Sequence, residues 1–228
     1  MSEQVYYRLK EEIISQLIPE LKMGTKINEV ELANRLNCST TPVREALNML
    51  RRDNLVVSNS FHSSEVVSFT QKDIEDIFTL REYLEVLAVR QAMPNMTEKD
   101  VQALRLIQER YGQVHETGDF SKMHNVNREF HDYILRCANN RILANLLHSL
   151  SDQTALLRAP TVQKRYGTDL TDGRMIAVEE HAGILEAIER GDWEQAPKAM
   201  EAHMSRLRRD VCFYYKNYGM ESGVVQIQ

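Results

Sequence analysis

Three of the seven histidines in this 228-residue chain stand on apolar stripes with helical spacing. His131 follows Asn127 by one turn, on a stripe with Val126, Phe130 and Ile134. His181 shares a stripe with Ala177, Ile184 and Ile188, and His203 shares one with Trp193, Ala196, Met200 and Leu207. A buried imidazole needs a partner, because an unpaired buried polar group costs about 1–3 kcal/mol. Two arrangements meet that need. Each histidine can bond separately to a backbone carbonyl or a carboxylate. Alternatively, the three can share one divalent cation from separate helices. Imidazole suits zinc, nickel, copper or iron, and the core of a helical bundle is a usual place for a metal. A three-histidine metal with open positions can also hydrolyse substrates. The chain carries no HExxH or comparable base to support that.

A second group of residues has a different chemistry. Ser39, Thr40 and Thr41 open a segment that continues through Arg44, Asn48 and Arg51. On a helix these form a hydroxyl-rich N-terminus and one polar face. Backbone N–H groups and hydroxyls at a helix start suit phosphate oxygens. A helix of this kind fits the major groove of DNA. The same pattern also describes the solvated face of a small helical subdomain. The net charge of −5 and pI near 5.8 exclude a globally basic nucleic-acid binder. Charge is local instead: residues 35–52 hold Arg35, Arg44, Arg51 and Arg52 against the single acid Glu45. Any DNA contact must therefore come from a small face.

The elements that would position these groups follow from periodicity. Val5, Tyr6, Leu9, Ile13 and Leu17 predict a helix ending near Pro19. Residues 23–27 read as a turn, and 29–36 as a short helix broken at Asn37-Cys38. A further helix starts within Ser39–Pro42, where hydroxyls can cap and proline is tolerated. Residues 55–69 are β-branched around a polar turn, Asn59 to Ser63, and predict a two-stranded hairpin. That is the one strong strand signal in the sequence. Thr70-x-x-Asp73 and Thr97-x-x-Asp100 resemble capping boxes. From residue 70 to about Tyr218 the period is helical. Breaks are expected near Pro94-Asn95, Gly118-Asp119, Asn139-Asn140, residues 159–173 and Gly191-Asp192.

The fold expected is mainly α: an N-terminal winged helix-turn-helix with a small β-hairpin wing over residues 1–70, then an antiparallel bundle of about six helices over 71–228. No apolar run approaches the ~18 residues of a membrane helix. The N-terminal stretch lacks an apolar signal core, so a cytoplasmic protein is expected. Cys38, Cys137 and Cys212 are scattered and predict neither a disulfide framework nor a cysteine-based zinc site.

ELANRLNCSTTPVREALNMLRRDNLV (Glu31–Val56) resembles the winged-helix signature of the GntR family of bacterial transcription regulators. DIEDIFTLREYLE (Asp73–Glu85) is similar to the start of the FCD effector domain of the FadR subfamily. NREFH, EEH and the M-x-x-H ending at His203 extend the likeness over nearly the whole chain. The resemblance implies a metabolite-responsive regulator, a repressor by the commoner mode, that reads a short palindromic operator as a homodimer. It assigns DNA contact to Ser39, Thr41 and Arg44, with Thr40, Asn48, Arg51 and the wing-tip His62 as further candidates. It also implies a divalent transition metal, zinc foremost with nickel, iron or manganese as options, held by His131, His181 and His203. Asn127 stands where the family commonly places an aspartate ligand. Arg81 holds a position that often faces the effector pocket, where its fork can take a small carboxylate. It can equally pair along the helix with Glu85. Arg158 is a further effector candidate. Val30 and Thr40 replace arginines of the family pattern, and Asn59–Ser64 holds none of the usual wing glycines. The operator of relatives therefore does not transfer to this chain.

Overall fold

The computed structural model describes residues 1–58, 63–117, 119–167 and 172–219, with the side chains of residues 120–121, 163–167 and 172–175 left undescribed. The order begins with α1 (Ser2–Ser15), a 3-10 turn at Pro19–Leu21, β1 (Lys26–Ile27), α2 (Glu29–Arg35) and α3 (Thr40–Arg52). It continues through β2 (Val56–Ser58), β3 (Ser64–Val66), α4 (Gln71–Ala92) and a 3-10 turn at Met93–Asn95. The remaining helices are α5 (Glu98–Thr117), α6 (Phe120–Cys137), α7 (Arg141–Gly167), α8 (Asp172–Glu189) and α9 (Gln195–Tyr218).

The chain divides into two compact units. The first comprises Met1–Ile74, Ser151–Pro160 and the chain from Val211; the second comprises Glu75–Leu150 and Thr161–Asp210. In the first unit α1 packs on α3. Leu9 and Ile13 of α1 are fully buried, as are Val43, Ala46, Leu47 and Leu50 of α3. The period of 3.6 thus gives α3 one apolar face and leaves Thr41, Arg44 and Asn48 exposed on the other. Lys10 on α1 fastens the end of α3, with its Nζ 3.0 Å from Asp53 and 3.1 Å from the Tyr6 hydroxyl. Its third partner, Asp152 of α7, lies at 2.5 Å.

The sheet corrects one sequence expectation. Val56 pairs with Val66 and Ser58 with Ser64, which is the expected antiparallel hairpin. Residues 23–27, however, are more than a turn. Lys26 and Ile27 form β1 and pair antiparallel with Glu65 and Ser64, giving a three-stranded sheet in the order β1-β3-β2. The bond from Gly24 N to Val66 O (3.0 Å) draws the strand in. Gly24 has φ +75°, where a side chain would be strained.

Helix starts follow their expected chemistry. The Thr70 N–H donates to Asp73 Oδ2 (2.8 Å), and the Asp73 N–H donates to Thr70 Oγ1 (3.0 Å). Thr97 and Asp100 repeat the box at α5. The Thr70 side-chain and backbone bonds hold the Asp73 carboxyl below its ordinary value of 3.8. Removing this cap with Asp73→Ala is expected to cost about 1 kcal/mol. The depressed value fixes the sign of the pH effect. The contribution is fully present above pH 3.8 and is lost as pH falls through the folded value. Urea titrations of wild type and variant at neutral and acid pH check this, and the two curves should converge in acid.

Within the break expected over 159–173, α7 runs through Pro160 to Gly167 and α8 begins at Asp172, while residues 168–171 lie outside the described ones. Pro160 lacks the N–H that would bond one turn back. The buried Tyr215 hydroxyl donates to the Leu157 carbonyl (3.1 Å), beside that gap. Trp193 also departs from expectation: it precedes α9 and is exposed, so the His203 stripe begins at Ala196. Among the described residues no helix is long and apolar enough to cross a membrane, and no disulfide forms.

Candidate functional site

The second unit is a helical bundle in which α5 packs on both α6 and α8. Its core includes Phe78, Leu104, Phe130, Ile134, Ile184 and Met200, all fully buried. That packing turns three stripes toward one point. His131 of α6, His181 of α8 and His203 of α9 are all buried, and each offers a ligand atom within 4.8 Å of the others. His181 Nε2 lies 3.3 Å from His203 Nε2. The His181 ring stacks on Phe130 (centroids 4.4 Å apart, planes at 12°) and on Tyr111 (4.9 Å, 24°). The His131 and His203 rings lie 5.5 Å apart.

Two carboxylates back this cluster: Glu85, which its spacing paired only with Arg81, and Glu180, which stands beside His181 in the sequence. Glu85 of α4 places Oε2 3.1 Å from His131 Nδ1. Its Oε1 accepts from Arg81 Nε (3.2 Å) and Nη2 (3.1 Å). Glu180 of α8 places Oε2 2.7 Å from His203 Nδ1. Arg206 of α9 donates to Glu180 through Nε and through Nη2, the latter at 2.6 Å from Oε2. Burial pushes the Glu85 carboxyl up, but His131 and Arg81 outweigh it and hold Glu85 well below the usual carboxylate range. For Glu180 burial is likewise outweighed, here by His203 and Arg206, and its carboxyl is held low. Both groups are thus ionised acceptors at neutral pH.

The donor set fits a divalent transition cation. Three buried imidazoles converge, and two of them carry a carboxylate on Nδ1, the outer partner that ligating histidines usually have. Zinc, nickel and iron match imidazole ligands, whereas manganese prefers oxygen. Asn127 lies on the same helix as His131 and is buried, with its Oδ1 accepting from the Tyr111 hydroxyl at 3.3 Å. Arg81 is buried with its fork on Glu85, so the intrahelical pairing allowed by its spacing is the one observed. Arg158 is half-buried on the part of α7 that belongs to the first unit, whereas the histidines belong to the second.

In the first unit, Ser39 is the N-cap residue of α3 and makes no side-chain capping bond. Ser39 and Thr41 are exposed and Thr40 is half-buried at the helix start. Arg44 lies exposed, with Nε 2.6 Å from Glu29 of α2. Arg51 donates to Asn48 Oδ1 and to Ser64 Oγ of β3, the latter at 2.6 Å. Arg51 therefore joins the α3 face to the sheet. His62 lies outside the described residues.

Comparison with known proteins gives consistent results for both units. Residues 1–66 match the model for bacterial regulatory proteins of the gntR family, and residues 76–206 match the FCD domain. The chain is 27% identical over 203 residues to the uncharacterized HTH-type transcriptional regulator YdhC of Bacillus subtilis (strain 168), covering 89% of this chain and 87% of that protein. It is 29% identical over 185 residues to the probable D-xylose utilization operon transcriptional repressor of Paenarthrobacter nicotinovorans, covering 81% and 78%. The solved structure of McbR/YncC from E. coli superposes with a TM-score of 0.74 at 26% identity, covering 95% of this chain and 98% of that one.

Proposed function

The chain belongs to the gntR family of bacterial regulatory proteins and carries an FCD domain. From that premise we propose that it is a cytoplasmic repressor whose hold on operator DNA is set by a small carboxylate-type metabolite. Residues 1–70 read the DNA, and residues 71–228 bind the effector and dimerise. The observation that carries the first half is the exposed polar face of α3, with Thr41, Arg44 and Asn48 aligned opposite a fully apolar one. Arg44 gives up its bond to Glu29 for a base edge or phosphate. Ser39, Thr40, Arg51 and His62 complete the contact. The relative named as a repressor favours that sign of control.

His131, His181 and His203 would hold a zinc-class cation, with Asn127 as a neutral neighbour. Bound there, it would supply a positive centre for the effector's carboxylate. Of the two arginines the resemblance assigns to the effector, Arg81 is engaged by Glu85, and Arg158 remains the candidate for its carboxylate. The effector acts by binding one arrangement of the dimer more tightly than the other. Leu80, Tyr83 and Leu87 form an exposed apolar stripe on α4, Tyr83 being 70% accessible, and a second copy of the chain covers it. A two-fold dimer then reads two half-sites of a short palindrome. The relatives are transcription regulators, and the chain is a regulator rather than a metalloenzyme.

Selection from random duplex DNA, with nonspecific competitor at moderate salt, tests this reading. Recovery of a short palindrome is expected; recovery of nonspecific DNA alone would overturn it. On the selected site, Arg44→Ala is expected to weaken binding by about 1–3 kcal/mol. Wild-type affinity should fall steeply with salt, as phosphate contacts require. Electrophoretic mobility shift across a salt series measures both.

A further inference from the structure

The two carboxylates behind the histidine cluster are each held by a guanidinium, and the two chains of contacts have the same order. One runs Arg81–Glu85–His131, with distances of 3.1 and 3.1 Å. The other runs Arg206–Glu180–His203, with distances of 2.6 and 2.7 Å. They come from different helices: α4 to α6 in the first, α9 to α8 and back to α9 in the second. Arg206 reaches one residue further, to Asp210 at 2.7 Å. Local helix pairing alone does not explain the pattern, because each carboxylate crosses to a histidine on another helix.

From this geometry we infer that Arg81 and Arg206 are positioning residues that, through Glu85 and Glu180, lock His131 and His203 with the proton on Nδ1 and the Nε2 lone pair turned into the cluster. The inference rests on the metal reading above. A carboxylate that already accepts from a guanidinium can only accept again, so the imidazole must donate through Nδ1. The remaining nitrogen, Nε2, is then an acceptor. At His203 it faces His181 Nε2 at 3.3 Å. A neutral His203 thus accepts a hydrogen bond from the His181 Nε2–H in the metal-free protein. The same lone pair is the one a cation takes. Buried ion pairs of this kind add little net stability, because removing both charges from water offsets their attraction. What they do supply is fixed ring orientation and tautomer, which governs ligand strength. Arg81 therefore acts on the metal site from behind and does not itself touch the effector.

Two measurements on the full-length protein test this. The first is histidine-selective nitrogen–proton NMR of metal-free wild type near neutral pH, which reports the tautomer directly. Nδ1–H is expected at both His131 and His203. An Nε2–H tautomer at either residue overturns the inference. The second is cobalt(II) affinity, by competition with a chromophoric chelator. Glu180→Gln and Glu85→Gln are each expected to weaken binding roughly 10–100-fold. Arg206→Lys keeps the charge but loses the fork, and a smaller loss in the same direction is expected; it serves where a Gln variant does not fold. A wild type that binds cobalt while the folded variants bind equally tightly overturns this inference alone. A wild type that takes up no cation overturns the metal reading and this inference with it.

Discussion

Metal-free protein given a divalent transition cation should become more stable, by about 4 kcal/mol when free cation stands near a thousand times its Kd. In a chain of this size that raises the melting temperature by roughly 8–16 °C. The cause is linkage: a cation held by His131, His181 and His203 binds the folded state, where their ligand atoms lie within 4.8 Å of one another. The unfolded chain separates them by 22 residues or more. His181→Ala should abolish the response, since it removes one of three nitrogen ligands. Differential scanning calorimetry of both proteins, with zinc added and then withdrawn by chelator, checks this. A wild type indifferent to zinc, nickel and iron would sink the metal reading. Independent pairing of each histidine would then be the surviving account.

Phe130→Ala is the second large effect expected. Phe130 is fully buried, and its ring stacks on His181 at 4.4 Å while meeting His131 edge-on at 5.8 Å. Truncation removes apolar area and leaves a cavity, together worth about 3–5 kcal/mol. It also frees one face of the His181 ring, so metal affinity should fall along with stability. Trp193→Ala is the control. Trp193 is 55% exposed, and a surface change away from special features should stay within about 0.5 kcal/mol. Chemical denaturation at fixed pH separates the two variants. A Phe130→Ala protein as stable as wild type would mean that the bundle collapses around the gap.

Much of this architecture was legible in the residues. Helical period marked α3 and the bundle helices, because burial of one face forces apolar residues to recur each turn. The Thr70 and Thr97 boxes were readable because a cap spans only four residues. The histidine stripes were visible for the same reason: each belongs to one helix and one face. By contrast, residues 23–27 read locally as a turn and yet contain β1. It is only two residues long, and its pairing with Glu65 and Ser64 lies far along the chain. The stretch 159–173 differs in the other direction, since α7 continues through Pro160. The rule that proline ends a helix is local, while Tyr215, 58 residues from Leu157, donates a bond to the carbonyl beside the gap.

The sequence by itself therefore determined the family, the order of the elements and which side chains carry chemistry. Those depend on neighbours within a turn or two. Only the tertiary structure decided that three stripes point to one place, because the rotation of each helix about its axis is set by packing in the core. It alone brought Glu85 to His131 across 46 residues, and directed Glu180 to His203 across 23. No local pattern marks those pairs. It also decided the role of Arg81, whose fork fits a carboxylate from a ligand or from the protein equally well. The packed helix supplies Glu85 one turn away, and the buried guanidinium takes it.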